Sequence, residues 1–424
     1  MFEFNKSVIV GYDLSNEYAQ ISYYTSGDEL AKTISIREGE EDYRIPPYLF
    51  KRSEVNQWFV GADAVSYSKV EEGELTGQIW ERALIGEPVT VAGEQFDPLA
   101  LLTLYIRRTL ALLTNIVNKN DVAGIMFTVP ELTKRAIEVL EVVTSSLGFK
   151  SARICFMGRE ESIYHYVINQ PEELWKRDVV IYEYKDKTIS CYNFRLNRIT
   201  KPVVCFVDKT EHEIRVTDDA DKDERFLEIV HETVDSHIVS CAYLLGDGFA
   251  GDWCSLSLQE LCRNRRSFRG NNLYSRGACY AMKDRLAGIN NEDRKIVFLG
   301  SDKLKANIGM DVIRGREKSY LALLDGGENW YDSKKRVEVI LDKGNTFTIT
   351  ITPLDGRGAR NVEIVLDGLK EHEPKKVRLR IEAVMESEDI LRINATDLGF
   401  GDFEKATYQL FTHTLSLTGG GEDI

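Results

Sequence analysis

Residues 123–168 read AGIMFTVPELTKRAIEVLEVVTSSLGFKSARICFMGREESIYHYVI. Ala123–Pro130 is almost wholly apolar and ends at a proline, the pattern of a buried strand. A long helix follows to about Leu147 and stops at Gly148. Ala152–Met157 reads as the next strand and Glu160–Ile168 as the next helix. Strand–helix–strand–helix order implies an α/β sheet with parallel strands.

Upstream, residues 7–24, SVIVGYDLSNEYAQISYY, read as two strands around a tight turn containing Asp13, Ser15 and Asn16. Short strands are expected around Pro46-Pro47 in residues 46–62. Asp97-Pro98 opens a helix, with Asp as N-cap and Pro at the first helical position. Leu102, Ile106, Leu110 and Leu113 share one of its faces.

Downstream, DVVIYEY at 178–184 starts a second set of strands through TISCYNFR, PVVCFV and EIRV, the last at 213–216. The charged run Asp218–Glu224 leads into a helix, Arg225–Ser236. HIVSCAYLLG at 237–246 is then a strand entering a glycine turn, with helices at Trp253–Cys262 and from Ser275. The plan thus occurs twice: strands first, then helix–strand alternation. After about residue 290, RVEVIL, TFTITI, NVEIVL, KVRLRIEAV and ILRINATD alternate apolar with polar, the mark of antiparallel sheets with one wet face.

The 424 residues carry a formal net charge of −14, which opposes nucleic acid and anionic membrane as partners. No stretch approaches the ~20 apolar residues of a membrane helix, and the first residues lack a signal-peptide pattern. Seven scattered cysteines form no CxxC pair and no zinc spacing. A reducing compartment, and so a cytoplasmic location, is expected.

Five stretches together resemble the actin and seventy-kilodalton heat-shock chaperone superfamily. GYDLSNEYAQISYY resembles its first phosphate hairpin, and residues 125–166 resemble the strand, helix, strand and connecting helix that follow. VVIYEYKDKTISCYNF has the register of the second phosphate hairpin, and residues 244–282 resemble the adenosine motif. Residues 364–399 look like the substrate-binding β domain of the chaperones. The chain most resembles bacterial heat-shock-chaperone-like chains. The resemblance implies a two-lobed actin-like ATPase fold, with tandem ribonuclease-H-like subdomains, followed by an antiparallel β-sandwich. The expected domains are a first lobe at 1–173, a second at 174–288, the sandwich at 289–418 and a flexible tail at 419–424. The helical lid of the chaperones is not expected.

The same resemblance implies a nucleotide site at Asp13, Ser15, Asn16, Lys185, Thr188, Gly246, Asp247 and Gly248, with ATP or ADP and Mg²⁺ as ligands and Asp13 acting on the metal through water. Arg82, in WERALIG, matches the family's positively charged catalytic-site residue, and Glu160 or Glu161 matches its connecting-helix glutamate. The phosphate grip departs from the pattern. Ser15, Asn16 and Glu17 replace Gly-Thr-Thr, and Lys185, Asp186 and Lys187 replace Gly-Gly-Gly after Glu183. Backbone N–H groups approach phosphate closely only where glycines permit it, so a degenerate site is expected.

Blander roles stand beside each of these. Asp13 can be a turn former, Gly246 and Gly248 a structural turn, and Glu160 and Glu161 dipole-stabilising acids. Arg82 can be a packing residue. The cluster Arg263 to Arg269 can be a solvated face, and Phe400 and Phe403 can pack the sandwich or form a contact surface. The expectation is a chaperone-like or scaffolding pseudo-ATPase that binds proteins or peptides through its sandwich. The alternatives are a slow ATPase using Asp13, Glu160 and Mg²⁺, or an interaction protein that binds no nucleotide.

Overall fold

A computed structural model describes residues 8–417 except 38–41, 150–151, 199–202, 236, 289–295, 301, 355–357 and 402–403. The chain divides into two compact units, Met1–Phe298 and Leu299–Ile424. The tail expected at 419–424 lies outside the described residues, as does Phe403.

The first unit contains a five-stranded and a six-stranded sheet built on one plan. In the first, Val8–Leu14 pairs antiparallel with Ala19–Thr25 and parallel with Val122–Val129, which pairs parallel with Arg153–Gly158. In the second, Asp178–Lys185 pairs antiparallel with Thr188–Asn197 and parallel with Val239–Leu245, which pairs parallel with Arg266–Arg269. The registers also correspond. Asp13 faces Gln20 and Glu183 faces Ser190 across their hairpins. Both central strands shift register once, directly after their first residue, at Val8/Ile9 and Asp178/Val179. The central strands are buried on both faces, which explains their continuous apolar runs.

The helices begin where side chains can accept the free N–H groups of the first turn. Asp97 accepts from Leu99 N at 3.0 Å, Thr133 from Ala136 N at 3.2 Å and Asp218 from Ala220 N at 3.0 Å. The last cap starts its helix at Asp219, so the charged run expected to precede the helix forms its first turns. EIRV is not a strand of its own. Val203–Glu213 is one long strand whose polar stretch stays paired with Thr188–Asn193, and Ile214 leaves the ladder to bond Lys187 O at 2.6 Å.

Two helices, Arg159–Ile168 and Leu273–Leu286, pack against each other and carry the junction between the sheets. They meet at Gly277, where a Cβ would lie 2.1 Å from the Ser162 carbonyl oxygen, so a side chain there would force them apart. The buried His165 sits between Asp284, 3.3 Å from its Nδ1, and Glu161, 3.8 Å from its Nε2. The strand Ile296–Phe298 joins the six-stranded sheet beside Val203–Cys205. The sandwich start expected at 289 therefore falls before the last strand of the first unit.

The second unit has two four-stranded antiparallel sheets that bury one shared core. Period-two alternation puts Val377, Leu379, Ile381 and Ala383 inside and Arg378, Arg380 and Glu382 on the outer face. Ile349, Ile351, Leu391 and Ile393 meet them in the same core.

Candidate functional site

The ends of the two central strands come together around one cation, Arg159. Asp13 is fully buried at the end of the first central strand. Arg159 donates to it twice, from Nε to Oδ1 at 3.2 Å and from Nη2 to Oδ2 at 3.1 Å. The third guanidinium nitrogen, Nη1, lies 3.6 Å from Glu183 Oε1 at the end of the second central strand. Glu183 also accepts from the Tyr274 hydroxyl at 2.8 Å and the Tyr192 hydroxyl at 3.5 Å. The guanidinium lies over the Tyr274 ring at 4.5 Å and the Tyr18 ring at 5.6 Å. One planar, five-donor group thus bonds Asp13 twice, pairs with Glu183 and stacks on two rings, which an ammonium could not do.

The electrostatics follow from this burial. Burial pushes the Asp13 carboxyl up to about 6, with Arg159 pulling it back and Glu183 and Glu17 adding to the rise. Burial works against the Arg159 charge, but Asp13, Tyr18 and Glu183 hold its pKa well above the usual guanidinium value. Burial likewise raises the Tyr18 and Tyr274 hydroxyls, so both stay neutral donors or acceptors.

Two further ion pairs lie beside the cluster, and the first joins the two hairpin turns. Glu17 of the first turn pairs with Lys185 of the second. Arg44, over the Tyr18 ring at 5.0 Å, pairs with Asp247. The remaining expected site residues are likewise used by the protein itself. Ser15 Oγ donates to Tyr18 O at 3.0 Å and closes its own turn. Asn16 Oδ1 accepts from Glu81 N at 2.9 Å. Asp186 takes a left-handed φ of 52° in the second turn, and Thr188 pairs with Lys185 across it.

Gly246 and Gly248 pack onto the second hairpin. Gly246 has φ 96°, and a Cβ on it would lie 2.2 Å from the Tyr184 carbonyl oxygen. A Cβ on Gly248 would lie 2.3 Å from the Tyr184 ring. Phe249 and Trp253 then stack beside Tyr184. This packing requires both glycines without any ligand.

Two cavities flank the paired turns. One, of about 430 Å³, is bordered by Tyr18, Arg44, Pro46, Tyr48, Lys185 and Gly246. The other, of about 590 Å³, is bordered by Asn16, Trp80, Arg159, Glu160, Thr188 and Tyr192. Glu160 faces this second space from the first turn of its helix, whereas Arg82, half-buried on Ile79–Ile85, borders neither. Among the described residues no group of three or more His, Cys, Asp or Glu side chains is placed to hold a metal ion. No described helix is long and apolar enough to cross a membrane.

The sequence singled out Asp13 and Lys185 but passed over Arg159, Arg44, Tyr18 and Tyr274. The signal for Arg159 lies in GREES. An arginine at the first position of a helix opposes the helix dipole, so it needs a carboxylate elsewhere in the fold.

The first unit is therefore a duplicated-sheet α/β structure whose two hairpin ends are joined through a buried carboxylate–guanidinium cluster. Residues 30–301 match the C-terminal model of a family of unknown function, DUF5716, and the chain belongs to that family. Residues 303–417 match a domain of unknown function, DUF8552. The seam between the two matches lies close to the division of the chain after Phe298. No curated protein matches the chain.

Proposed function

We propose that the first unit is a non-hydrolysing relative of the actin-like ATPases, two lobes each built on one of the duplicated sheets, and that the whole chain acts as a chaperone-like scaffold for other proteins. The repeated strand order and the matching registers of Asp13 and Glu183 support the two-lobe reading. The observation that carries the functional reading is Arg159, whose guanidinium binds Asp13 and lies beside Glu183. Those two carboxylates stand at the hairpin ends where a nucleotide-bound Mg²⁺ would need free oxygens. With their charge met by an arginine, and with lysines and aspartate in the second turn, the residues present do not fit an ATP–Mg²⁺ complex. A slow ATPase is disfavoured on the same ground.

The test is ATP with Mg²⁺ in a thermal-shift assay and a hydrolysis assay on the full chain. A ligand present at one hundred times its Kd would raise native stability by about 2.7 kcal/mol. No shift and no hydrolysis are expected. A clear shift, with turnover that disappears in Asp13→Ala, would overturn the reading.

A further inference from the structure

We propose that the edge strand Arg266–Arg269 receives an extended acidic segment of a partner protein as an added strand. The proposal deepens the scaffold reading by giving the chemistry of one partner, and it does not depend on whether nucleotide binds.

The strand is the outermost of the six-stranded sheet and pairs only with Val239–Leu245 among the described residues. Its counterpart in the other sheet, Arg153–Gly158, alternates buried and half-buried positions toward its end. Arg266, Phe268 and Arg269 are all exposed. Phe268 is 40% exposed although its ring stacks on Tyr243 at 5.5 Å with 23° between the planes. It is thus an aromatic anchor already held in place. Leu256, on a helix packed against this strand, and Ile238, just before the neighbouring strand, are 51% and 71% exposed.

The charge of this edge opposes that of the chain. Arg263, Arg265, Arg266 and Arg269 fall within seven residues of a protein whose formal net charge is −14. Glu260 is shared by Arg263 at 3.5 Å and Arg265 at 3.2 Å, and Glu173 pairs with Arg266 at 2.6 Å. Arg269 instead points to the Gly251 carbonyl at 3.4 Å and the Cys254 sulfur at 3.9 Å. Four cations against two carboxylates leave a local positive excess. Main-chain pairing along a free edge supplies affinity, and alternate side chains supply selectivity. Acidic residues would meet Arg266 and Arg269, with an apolar residue over Phe268. Arginines on an edge also repel indiscriminate pairing, which favours an acidic incoming strand over others.

The test uses the full chain and a labelled peptide of Glu-Val-Phe-Glu repeats, which sets glutamates against both Arg266 and Arg269 and an apolar residue against Phe268. Its lysine counterpart and a single-stranded oligonucleotide serve as controls. Fluorescence anisotropy should show binding of the acidic peptide alone. The double variant Arg263→Glu with Arg266→Glu, and Phe268→Ala, should each weaken it by about tenfold or more. Hydrogen exchange should slow at amides 266–269 on peptide addition, a readout that needs no variant to fold. Binding of the lysine peptide or the oligonucleotide with equal affinity would overturn the proposal. So would protection confined to residues 299–417, or self-association of the chain through this edge without peptide binding. None of these outcomes bears on the ATP–Mg²⁺ test, so the two readings fail separately.

Discussion

Arg159 and Asp13, 146 residues apart in the chain, form a two-point ion pair with bonds of 3.2 and 3.1 Å in a fully buried position. The arginine occupies the first position of its helix, where the dipole disfavours a cation. It is held there by Asp13 and Glu183. Because those acids end the central strands of different sheets, the pair joins the two hairpins as well as neutralising them.

Replacing Arg159 should therefore be costly. Arg159→Ala leaves two carboxylates buried without their cation, a change of roughly 3–5 kcal/mol. Urea denaturation at neutral pH measures it. Arg159→Lys should recover only part of the loss, because an ammonium cannot reproduce the fork. The loss should shrink at pH 5, where a proton can replace the missing charge. Full recovery by lysine would show that charge alone matters at this position.

The raised Asp13 pKa has a defined consequence for stability. Its folded value of about 6 lies above the ordinary 3.8, so the folded state holds this proton more tightly. The resulting stabilisation is complete below the ordinary value and is lost as pH rises through about 6. Asp13→Asn removes the titration. Relative to that variant, the wild type should lose about 2 kcal/mol between pH 4 and pH 7. Denaturation midpoints across this range read the slope. The opposite slope would mean that Arg159 outweighs burial.

The hairpins and the alternating strands after residue 300 were legible because each is written in local periodicity. Asp13 could be picked out because a strand-end acid followed by a turn has a recognisable pattern. Arg159 could not be paired with it from the sequence, since the contact depends on how two sheets and a helix meet. The resemblance points to the neighbouring Glu160 or Glu161, and Glu160 borders the larger cavity together with Arg159. PVVCFV and EIRV read as separate strands because the polar DKTEH between them carries no apolar alternation. Exposed pairing with Thr188–Asn193 needs no apolar residues, and so it left no periodic signal.

Gly246 separates a structural glycine from a ligand-binding one. Gly246→Ala would place a methyl 2.2 Å from the Tyr184 carbonyl at a φ of 96°. A stability loss of about 2–4 kcal/mol is expected from strain and overlap. The loss should be the same with and without added nucleotide. Circular-dichroism melts under both conditions decide it, and a nucleotide-dependent difference would restore a ligand role to the turn.

The second unit should fold without the first. Every residue of its core, from Leu304 to Leu417, belongs to Leu299–Ile424, and both sheets contribute to it. A fragment of residues 299–424 should show one cooperative urea transition, and Ile381→Ala, fully buried in wild type, should lower its stability by about 2–5 kcal/mol. A broad, non-cooperative transition would mean that the first unit completes the fold. The folded fragment also tests the chaperone-like side of the scaffold reading. Its outer strands Glu317–Leu324, Arg360–Val365, Lys334–Leu341 and Leu410–Ser416 end their sheets among the described residues. Strand addition at such an edge gives weak, fast-exchanging peptide complexes when nothing closes over them. Leu410 is 58% exposed at the start of one such strand, and the half-buried Phe400 lies in the turn before it. An array of unfolded peptides should bind the fragment, with affinity reduced by Leu410→Ser and by Phe400→Ala. Binding that is unchanged in both variants would move the contact away from this edge. A folded fragment that binds no peptide would leave partner binding to the first unit.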